Sequence, residues 1–361
     1  MLIYALYFTK RTKKMSIRST WNFLKECFRI TPQLIPKNYI SKFNKFTNLS
    51  VDEKSKILYD QAQKIISHQC PLDQSPDKES LESLLPRINV LSLSNNSPTQ
   101  TQHHWSNQID VKMPLEGRLT TDQELINKLL LKHIKKPAIL IGIGSWNGHE
   151  TFHFLKNIAQ TPSLKYSVAG VANIDGSIKA TQIALLTSQV LGLNQDLFFC
   201  YHGNAIESLP IHPLKSQLHS QIYIASRFIN ILAPHEHLIF LSLLKERLQN
   251  DDACAIVTNS IIDLQKPPSK VLVEYLKLLK EGILELEELP DNTGLSFVFA
   301  RDVAEKKLLK GHVCQTFLYK DFEERFFEIH NLKCLEKSPP ETEIDGITRI
   351  ASVIKAAFPK K

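Results

Sequence analysis

The sequence predicts an α/β protein built on a doubly wound, mostly parallel sheet. Between Thr121 and Ile283, apolar strand-like runs alternate with segments of helical periodicity. The first apolar run ends in a loop that contains Gly142, Gly144 and Gly148, and a helix follows at once. A strand that runs into such a loop lets the backbone pass close to a bound molecule. Alternation of this kind places the ligand crevice at the carboxyl ends of the strands.

The predicted elements follow one another in regular order. A capping box, Thr121-x-x-Glu124, starts a helix that Pro137 ends. The strands that follow are AILIGIG, YSVAGVANID, DLFFCYHGNA, SQIYIASRFINIL and ACAIVTNSI. The helices between and after them are His149 to about Gln160, SIKATQIALLTSQVLGL, PHEHLIFLSLLKERLQ and SKVLVEYLKLLKEGI.

The glycine loop restricts the class of ligand. It has no Gly-Lys-Ser/Thr ending, and the first turn of the next helix offers His149 and Glu150, where a phosphate binder has Lys or a bare helix N-terminus. The loop therefore argues against a triphosphate. A dinucleotide such as NADP, a nucleoside without phosphate such as S-adenosylmethionine, and a tight turn that binds nothing remain as alternatives.

Composition predicts a globular, cytoplasmic protein without a metal site. The chain has 361 residues, 43% of them hydrophobic, which suffices for a sizeable core. The cysteines lie far apart without a C-x-x-C pair or a histidine at zinc spacing, which is typical of reduced thiols. Apolar residues precede the first basic cluster, so no signal peptide is expected, and no run is long enough for a transmembrane helix.

Positive charge is concentrated at the N-terminus. The basic arm, Met1 to Phe46, holds ten Lys and Arg residues against Glu26 alone, while the net charge of the whole chain is +7. Within it, Ile17, Trp21, Leu24 and Phe28 lie on one face of a predicted helix. Either the arm binds a polyanion or this helix packs on the protein's own core.

The division into domains follows from a polar linker. A capping box at Ser50 predicts a second helix that runs to about His68. The stretch from Leu91 to Gln108 then loses all periodicity and is predicted to be a linker or an exposed loop. We therefore predict a helical N-terminal extension, residues 1–110, and an α/β domain, residues 111–361.

In their order, the segments from Thr121 to Phe358 resemble a class I S-adenosylmethionine-dependent methyltransferase. AILIGIGSWNG is similar to the family's first motif, VANIDGSIKA to the end of its second strand and CYHGNAIESLP to its third-strand segment. YKDFEERFFEIHNLKCLEKS with TRIASVIKAAF resembles its closing antiparallel hairpin, which an NADP dehydrogenase is not expected to have. The resemblance implies a seven-stranded Rossmann-like methyltransferase fold, S-adenosyl-L-methionine as cofactor, and an acceptor that the sequence does not identify.

The resemblance also implies a set of cofactor-binding residues. Three positions depart from the family pattern. Leu140 stands where an acid usually precedes the loop, and Asn204 stands where an Asp usually binds the adenine. At the position of the ribose-binding acid the sequence has Asn173, with Asp175 two residues later as the alternative ribose ligand. Each exchange of Asp for Asn is expected to weaken the cofactor by about 1 kcal/mol. The implied residues are Gly142, Gly144, Ser145, Gly148, Asn173, Asp175, Asn204 and Ala205.

The sequence does not identify the catalytic residues. Methyl transfer is an in-line displacement that needs a general base only for some acceptors, for which Tyr201, His202, Arg227 and His235 are candidates. His149 and Glu150 could touch the amino-acid end of the cofactor or form a plain first-turn pair. Two other functions stay open: a methyltransferase-like binding protein that has lost activity, and an NADP-dependent oxidoreductase.

Overall fold

The computed structural model describes most of the chain from Thr121 to Ala357. Within that range it leaves out residues 135–136, 165, 191–192, 194–196, 208, 210–219, 250–252, 300–313 and 344, and before it the described residues are 53, 56, 85, 88 and 90–93. The predicted helices of the N-terminal extension lie outside the described residues, apart from Glu53 and Lys56, which are helical.

The described strands belong to one sheet. In chain order they are β1 (Leu91–Ser92), β2 (Ala138–Ile143), β3 (Val168–Asp175), β4 (Phe198–His202), β5 (Ser220–Ser226), β6 (Ala253–Ile262), β7 (Leu284–Glu288), β8 (Gly294–Phe299), β9 (Cys314–Tyr319), β10 (Leu332–Lys337), β11 (Glu341–Thr342) and β12 (Thr348–Ala356).

Helices follow most of the parallel strands. They are α1 (Thr121–His133), α2 (His149–Gln160), α3 (Ile178–Val190), α4 (Phe228–Ile231), α5 (Pro234–Arg247), α6 (Lys270–Lys280) and α7 (Phe322–Phe326), with short 3₁₀ turns at Pro162–Leu164, Pro290–Asn292 and Glu328–His330.

Local sequence explains why these elements form. Every residue of β2 and of β6 is buried, and both read as near-continuous apolar runs, as expected for parallel strands covered on both faces. Helix α5 begins with Pro234 in its first turn, and the Glu236 carboxylate accepts a hydrogen bond from the Ala233 N–H at 2.7 Å. The predicted strands and helices between Thr121 and Ile283 are therefore confirmed with shifted ends, with one exception. The predicted strand SQIYIASRFINIL ends at Ser226, and Phe228–Ile231 forms helix α4 instead.

The order of the strands confirms the predicted fold class. Strands β4, β3, β2, β5 and β6 lie side by side and are parallel. Strand β12 is antiparallel to β6, and β10 is antiparallel to β12, which gives the closing hairpin implied by the resemblance. The chain places β3 and β4 on one side of β2 and then crosses over to place β5 and β6 on its other side. The topological switch point, where ligands of such sheets bind, is thus the crevice between β2 and β5.

The sheet is larger than the seven strands predicted. Twelve strands of the described residues are joined in it, and β7, β8 and β9 form an antiparallel meander that lies between β6 and β10 in the sequence. Strand β9 pairs with the last two residues of β6, beyond the end of β5. Helix α6 packs on the meander through a cluster of buried apolar side chains that includes Leu278, Phe297 and Phe317.

One correction concerns the predicted linker. Leu91 and Ser92, its first residues, form an edge strand that pairs in parallel with β4. The Leu93 N–H donates to the His202 carbonyl at 2.9 Å, and the nearby Leu85 is buried against Ala180 and Ile183 of α3. The polar composition hid this strand because edge pairing uses backbone groups and needs no apolar run.

Candidate cofactor-binding site

The glycine loop is a tight turn from β2 into α2. Gly144 has a φ of 57°, and Gly148, at the N-cap of α2, has a φ of 82°, both in the left-handed region that favours glycine. The Ser145 N–H donates to the Ile174 carbonyl at 3.2 Å, and the Gly148 N–H donates to the Ser145 carbonyl at 2.8 Å. These bonds hold the loop against the end of β3.

All three glycines of the loop have close neighbours in the protein itself, and at Gly148 the neighbour is the ring of Phe152. A Cβ atom at Gly142 would overlap the side-chain oxygen of Asn173, and a Cβ atom at Gly144 would overlap the ring of Phe228. Phe228 is only 8% exposed and lies in α4, directly after β5. The lack of a side chain at these positions is therefore required by packing, whether or not a ligand approaches.

Asn173 and Asp175 face different surroundings although both belong to β3. Asn173 is 2% exposed, and its side-chain oxygen accepts a hydrogen bond from the Thr151 hydroxyl at 2.9 Å. Asp175 is the last residue of the strand. Its carboxylate accepts from the Trp146 N–H at 2.7 Å and from the Ser177 N–H at 2.8 Å. The acid thus ties the glycine loop to the start of α3, and burial raises its pKa to about 6.

Asn204 and Ala205 follow the end of β4. The Asn204 side-chain oxygen accepts from the Ile206 N–H at 3.2 Å, and its amide nitrogen lies 3.4 Å from a Glu207 carboxylate oxygen. Asn204 is partly buried, whereas Ala205 is 4% exposed. The amide therefore shapes a turn at the strand end and retains acceptor capacity toward a ligand.

The eight predicted residues lie around three neighbouring strand ends. In register, Gly142 lies opposite Asn173 on β3, and Asp175 opposite His202 on β4. Adjacent strands are about 4.8 Å apart, so the glycine loop, the Asp175 carboxylate and the Asn204 turn share one edge of the sheet. Asn173 differs from the rest, since it is enclosed between β2 and α2. The roles of these residues toward a cofactor stay a prediction.

Charged side chains also lie at the end of β5. They are the candidates Arg227 and Glu150, together with Asp122, which the sequence did not indicate. Arg227 follows β5 with a left-handed φ of 52°, and its Nε lies 3.0 Å from a carboxylate oxygen of Asp122 in the first turn of α1. Glu150, in the first turn of α2, hydrogen-bonds the side chain of Ser226 and is close to Arg227 and Asp122. We call Asp122, Glu150, Ser226 and Arg227 the crevice cluster.

The electrostatics of the crevice cluster are set by burial. Asp122 is 1% exposed, while the Arg227 side chain is 46% exposed. Burial is the main cause that raises the pKa of Glu150 to about 7, against the opposing effects of hydrogen bonds and of Arg227. A sequence signal existed for Glu150, which follows the glycine loop. None existed for Asp122, whose contact with Arg227 depends on how α1 packs.

Of the four candidate general bases, only Arg227 lies at the crevice between β2 and β5. Tyr201 is buried in β4, and His235 is exposed on α5. The His202 ring binds the Gly176 carbonyl at 3.2 Å, and desolvation lowers its pKa. An arginine stays protonated at ordinary pH and is a poor base. None of the four is therefore supported as a general base.

A hydrogen-bond network fixes the end of β5. The Arg227 N–H donates to both the carbonyl and the hydroxyl oxygen of Thr258 on β6, at 3.0 and 3.1 Å. The Asn230 side chain accepts from the Ser260 N–H at 2.9 Å and donates to the Thr316 carbonyl on β9. Helix α4 therefore fills the space between β6 and β9 where β5 stops, which holds Arg227 in one backbone position.

Comparison with solved structures finds S-adenosylmethionine-dependent methyltransferases. The chain is similar to one from Methanosarcina mazei, with 13% identity and a TM-score of 0.44 over 64% of this chain and 98% of that one. The chain is also similar to the CcbJ methyltransferase from Streptomyces caelestis, with 13% identity and a TM-score of 0.45 over 73% of this chain and 100% of that one. A methyltransferase from Clostridium acetobutylicum has 12% identity and a TM-score of 0.41 over 71% of this chain and 99% of its own. No protein-family model matches the chain, and no curated protein matches it in sequence.

The described part of the chain contains neither a membrane-spanning helix nor a cluster of metal ligands. No helix there has the length and apolar character that a membrane span requires. No group of three or more His, Cys, Asp or Glu residues among the described positions is arranged to hold a metal ion.

Proposed function

We propose that this protein is an S-adenosylmethionine-dependent methyltransferase. The observation that carries the proposal is the position of Asp175 at the end of β3. Its carboxylate is bonded to the glycine loop on one side and lies next to the end of β4 on the other. An acid at this place in a doubly wound sheet accepts hydrogen bonds from the ribose hydroxyls of a nucleoside ligand.

The Asp175 carboxylate has the capacity for such a ligand. A carboxylate offers about four lone-pair positions, and the Trp146 and Ser177 N–H groups use two of them. Asn173, the alternative for the ribose position, is buried with its oxygen already bonded to Thr151. We therefore assign the ribose contact to Asp175, which leaves the usual acid of this position in place.

The charges around the loop favour a nucleoside without phosphate. Glu150 lies in the first turn of α2, where a pyrophosphate would have to approach the helix N-terminus. Asp175 would also repel the 2′-phosphate of NADP. A sulfonium cofactor carries positive charge and meets neither conflict. The antiparallel closing strands β10 and β12 agree with the same proposal.

In this proposal, the protein's residues act mainly by alignment. The cofactor would supply an electrophilic methyl group, and the chain would hold it along the glycine loop with its nucleoside toward Asp175 and Asn204. The end of β5 and helix α4 then form the wall on the acceptor side of the crevice. Positioning and exclusion of water are the main contributions a protein can make to such a displacement.

Calorimetric titration with S-adenosylmethionine, S-adenosylhomocysteine, NADH and NADPH tests the proposal. We expect dissociation constants of about micromolar order for the first two ligands and no binding of the nicotinamide cofactors. Asp175→Asn should weaken S-adenosylhomocysteine about tenfold, because a charged acceptor becomes neutral. The exposed turn residue Asp291 provides a matched control, Asp291→Asn, which should bind as the wild type does.

Two results would count against the proposal. Binding of NADH in preference to S-adenosylhomocysteine would favour an oxidoreductase, and binding of none of the four would remove the nucleoside site. The binding-protein alternative is favoured by Leu140, which is fully buried and uncharged at the position of a usual acid. It predicts cofactor binding without methyl transfer from a radiolabelled methyl donor to any component of a cell extract.

A further inference from the structure

Strand β7 lies at an edge of the sheet. Among the described strands it pairs only with β8, and the strand order ends there. The Leu289 N–H donates to the Gly294 carbonyl at 2.9 Å, and the register of the two strands repeats this hydrogen-bonded pairing at Glu287. Every second residue of an antiparallel pair bonds its neighbour, so the backbone groups of Leu286 and Glu288 point away from β8. They offer hydrogen bonds to another strand.

The side chains of β7 differ between its two faces. Successive residues of a strand point to opposite faces. Leu284 and Leu286 lie on the face that α6 covers, where Leu284 is buried in an apolar cluster and Leu286 is 44% exposed. Glu285 and Glu287 lie on the other face and are exposed. The edge therefore presents two carboxylates, two residues apart, with an apolar side chain between them.

The segment around β7 is acidic. From Glu281 to Phe299 the chain has five acidic residues and no basic one. Antiparallel pairing of β7 with the same strand of a second copy would place glutamates close to glutamates, and like charges on neighbouring strands destabilise the pair. A strand that pairs with this edge must therefore carry positive charge.

The other edges of the described sheet are protected in ways that β7 lacks. Strand β1 has only two residues, and β10 shifts its register between Cys334 and Glu336. Short strands and bulges both hinder pairing with a further chain. Strand β7 has five residues in regular register and contains neither proline nor lysine. Only its negative charge opposes pairing, and that charge does not oppose a basic strand.

We propose that β7 binds an extended segment of a partner protein in which basic and apolar residues alternate. The segment adds a strand to the sheet, with lysine or arginine side chains opposite Glu285 and Glu287 and an apolar side chain beside Leu286. Backbone hydrogen bonds supply affinity, and the two charge pairs supply specificity. The inference is independent of the proposed cofactor, since β7 contributes no residue to the glycine loop or to the neighbouring strand ends.

Fluorescence anisotropy with a labelled, end-blocked peptide of the sequence Thr-Lys-Val-Lys-Val-Lys-Thr tests the proposal. We expect saturable binding at low salt that weakens as the salt concentration rises. A second peptide has both valines N-methylated, which keeps every charge but removes the backbone donors that would bond the outward groups of β7. It should bind at least about tenfold more weakly.

Variants of the protein locate the binding. Glu285→Lys combined with Glu287→Lys reverses both charges and should weaken the first peptide at least about tenfold. Leu286→Pro removes an outward N–H without touching the pairing with β8, and should weaken it about fivefold or more. Glu324→Lys combined with Glu328→Lys changes the net charge equally at exposed positions outside β7, and should bind as the wild type does. Melting temperatures show that each variant is folded.

The proposal is overturned if the wild type does not bind the first peptide, if the N-methylated peptide binds equally well, or if charge reversal in β7 has no more effect than the control. Two further results would assign the edge to another occupant and also overturn it. One is peptide binding by a protein that starts at Val51 but not by the full chain, which favours the basic arm. The other is a dimer in analytical ultracentrifugation that Leu286→Pro abolishes. The N-methylated peptide needs no variant, so it decides the question even if Leu286→Pro fails to fold.

Discussion

At the scale of single residues, Asp175 and Glu150 show how the same chemical group serves two purposes. Asp175 is tied by backbone N–H groups that come from the glycine loop and from α3. Glu150 is bonded to its own backbone N–H and to the Ser226 side chain, and burial raises its pKa to about 7. The first arrangement stabilises the fold of the site, and the second keeps a carboxyl group available close to neutral pH.

The raised pKa of Glu150 predicts a pH-dependent stability. The native state holds this proton up to about pH 7, whereas the unfolded chain releases it near 4.5. The stabilisation is thus complete below pH 4.5 and is lost as the pH rises to about 7. Glu150→Gln stays neutral, so it should be more stable than the wild type at pH 8, by on the order of 2 kcal/mol, with little difference at pH 4.5.

Thermal melting of both proteins at the two pH values measures this effect. The charged groups that face Glu150 are Arg227 and Asp122, and their substitution would alter the result, so both are kept. Glu324→Gln, an exposed residue of α7, serves as control and should show no such change. A stability difference that is the same at pH 4.5 and pH 8 would contradict the prediction.

At the scale of elements, the glycine loop and α4 form one packed unit. The Phe228 ring lies against Gly144 and makes an edge-to-face contact with Phe240 of α5 at 4.9 Å between centroids. The ends of β2 and β5 are therefore connected through an aromatic side chain. Substitutions in the loop act on this packing before they act on any ligand.

This contact predicts the outcome of substitutions at Gly144. Gly144→Ala combines a left-handed backbone with a clash against Phe228 and should cost about 2 kcal/mol of stability, and Gly144→Val more. Phe228→Ala relieves the clash, so the double variant Gly144→Ala with Phe228→Ala should be more stable than the sum of the single effects by about 1 kcal/mol. Urea unfolding of the four proteins measures this coupling. Simple additivity would show that the ring does not lie on Gly144.

At the scale of the whole molecule, described residues that precede position 111 contact the sheet and helix α3. Strand β1 extends the sheet beside β4, and the Gln182 side chain donates to the Ile88 carbonyl at 3.1 Å. Leu85 is 4% exposed against α3. We therefore expect Leu85, Ile88 and β1 to contribute to the stability of the α/β domain.

Two deletions test the organisation of the chain. A protein that starts at Val51 lacks the basic arm, and we expect it to keep its melting temperature and cofactor affinity. One that starts at Val111 also lacks Leu85 and β1, and should lose about 2 kcal/mol or more, the value of burying a leucine side chain. Equal stability of both deletions would contradict the assignment of β1 to the domain.

The arm itself is proposed as a separable docking element. If it binds a polyanion, RNA or anionic vesicles should bind the full chain and not the Val51 deletion, with affinity that falls steeply with salt. If the arm packs on the core, the Val51 deletion should melt at a lower temperature with unchanged RNA binding. A folded Val51 deletion that no longer bound cofactor would refute separability.

Apart from helix α4, which was predicted as the end of a strand, the sequence by itself determined the order and type of the elements from Thr121 to Ile283. It also determined the glycine loop and the closing hairpin. These are recorded locally, because periodicity reports burial along one segment and glycine reports a backbone conformation at one position. The inserted strands β7, β8 and β9 and the short edge strand β1 were not predicted, since strand pairing depends on partners distant in the chain.

Only the tertiary structure decided which side chains share the crevice. Register placed Asp175 at the strand end and enclosed Asn173 two residues earlier. Packing of α1 brought Asp122 to Arg227, and α4 brought Phe228 to Gly144. Each of these contacts joins residues far apart in the chain, and their geometry follows from strand pairing and helix packing, which local periodicity does not encode.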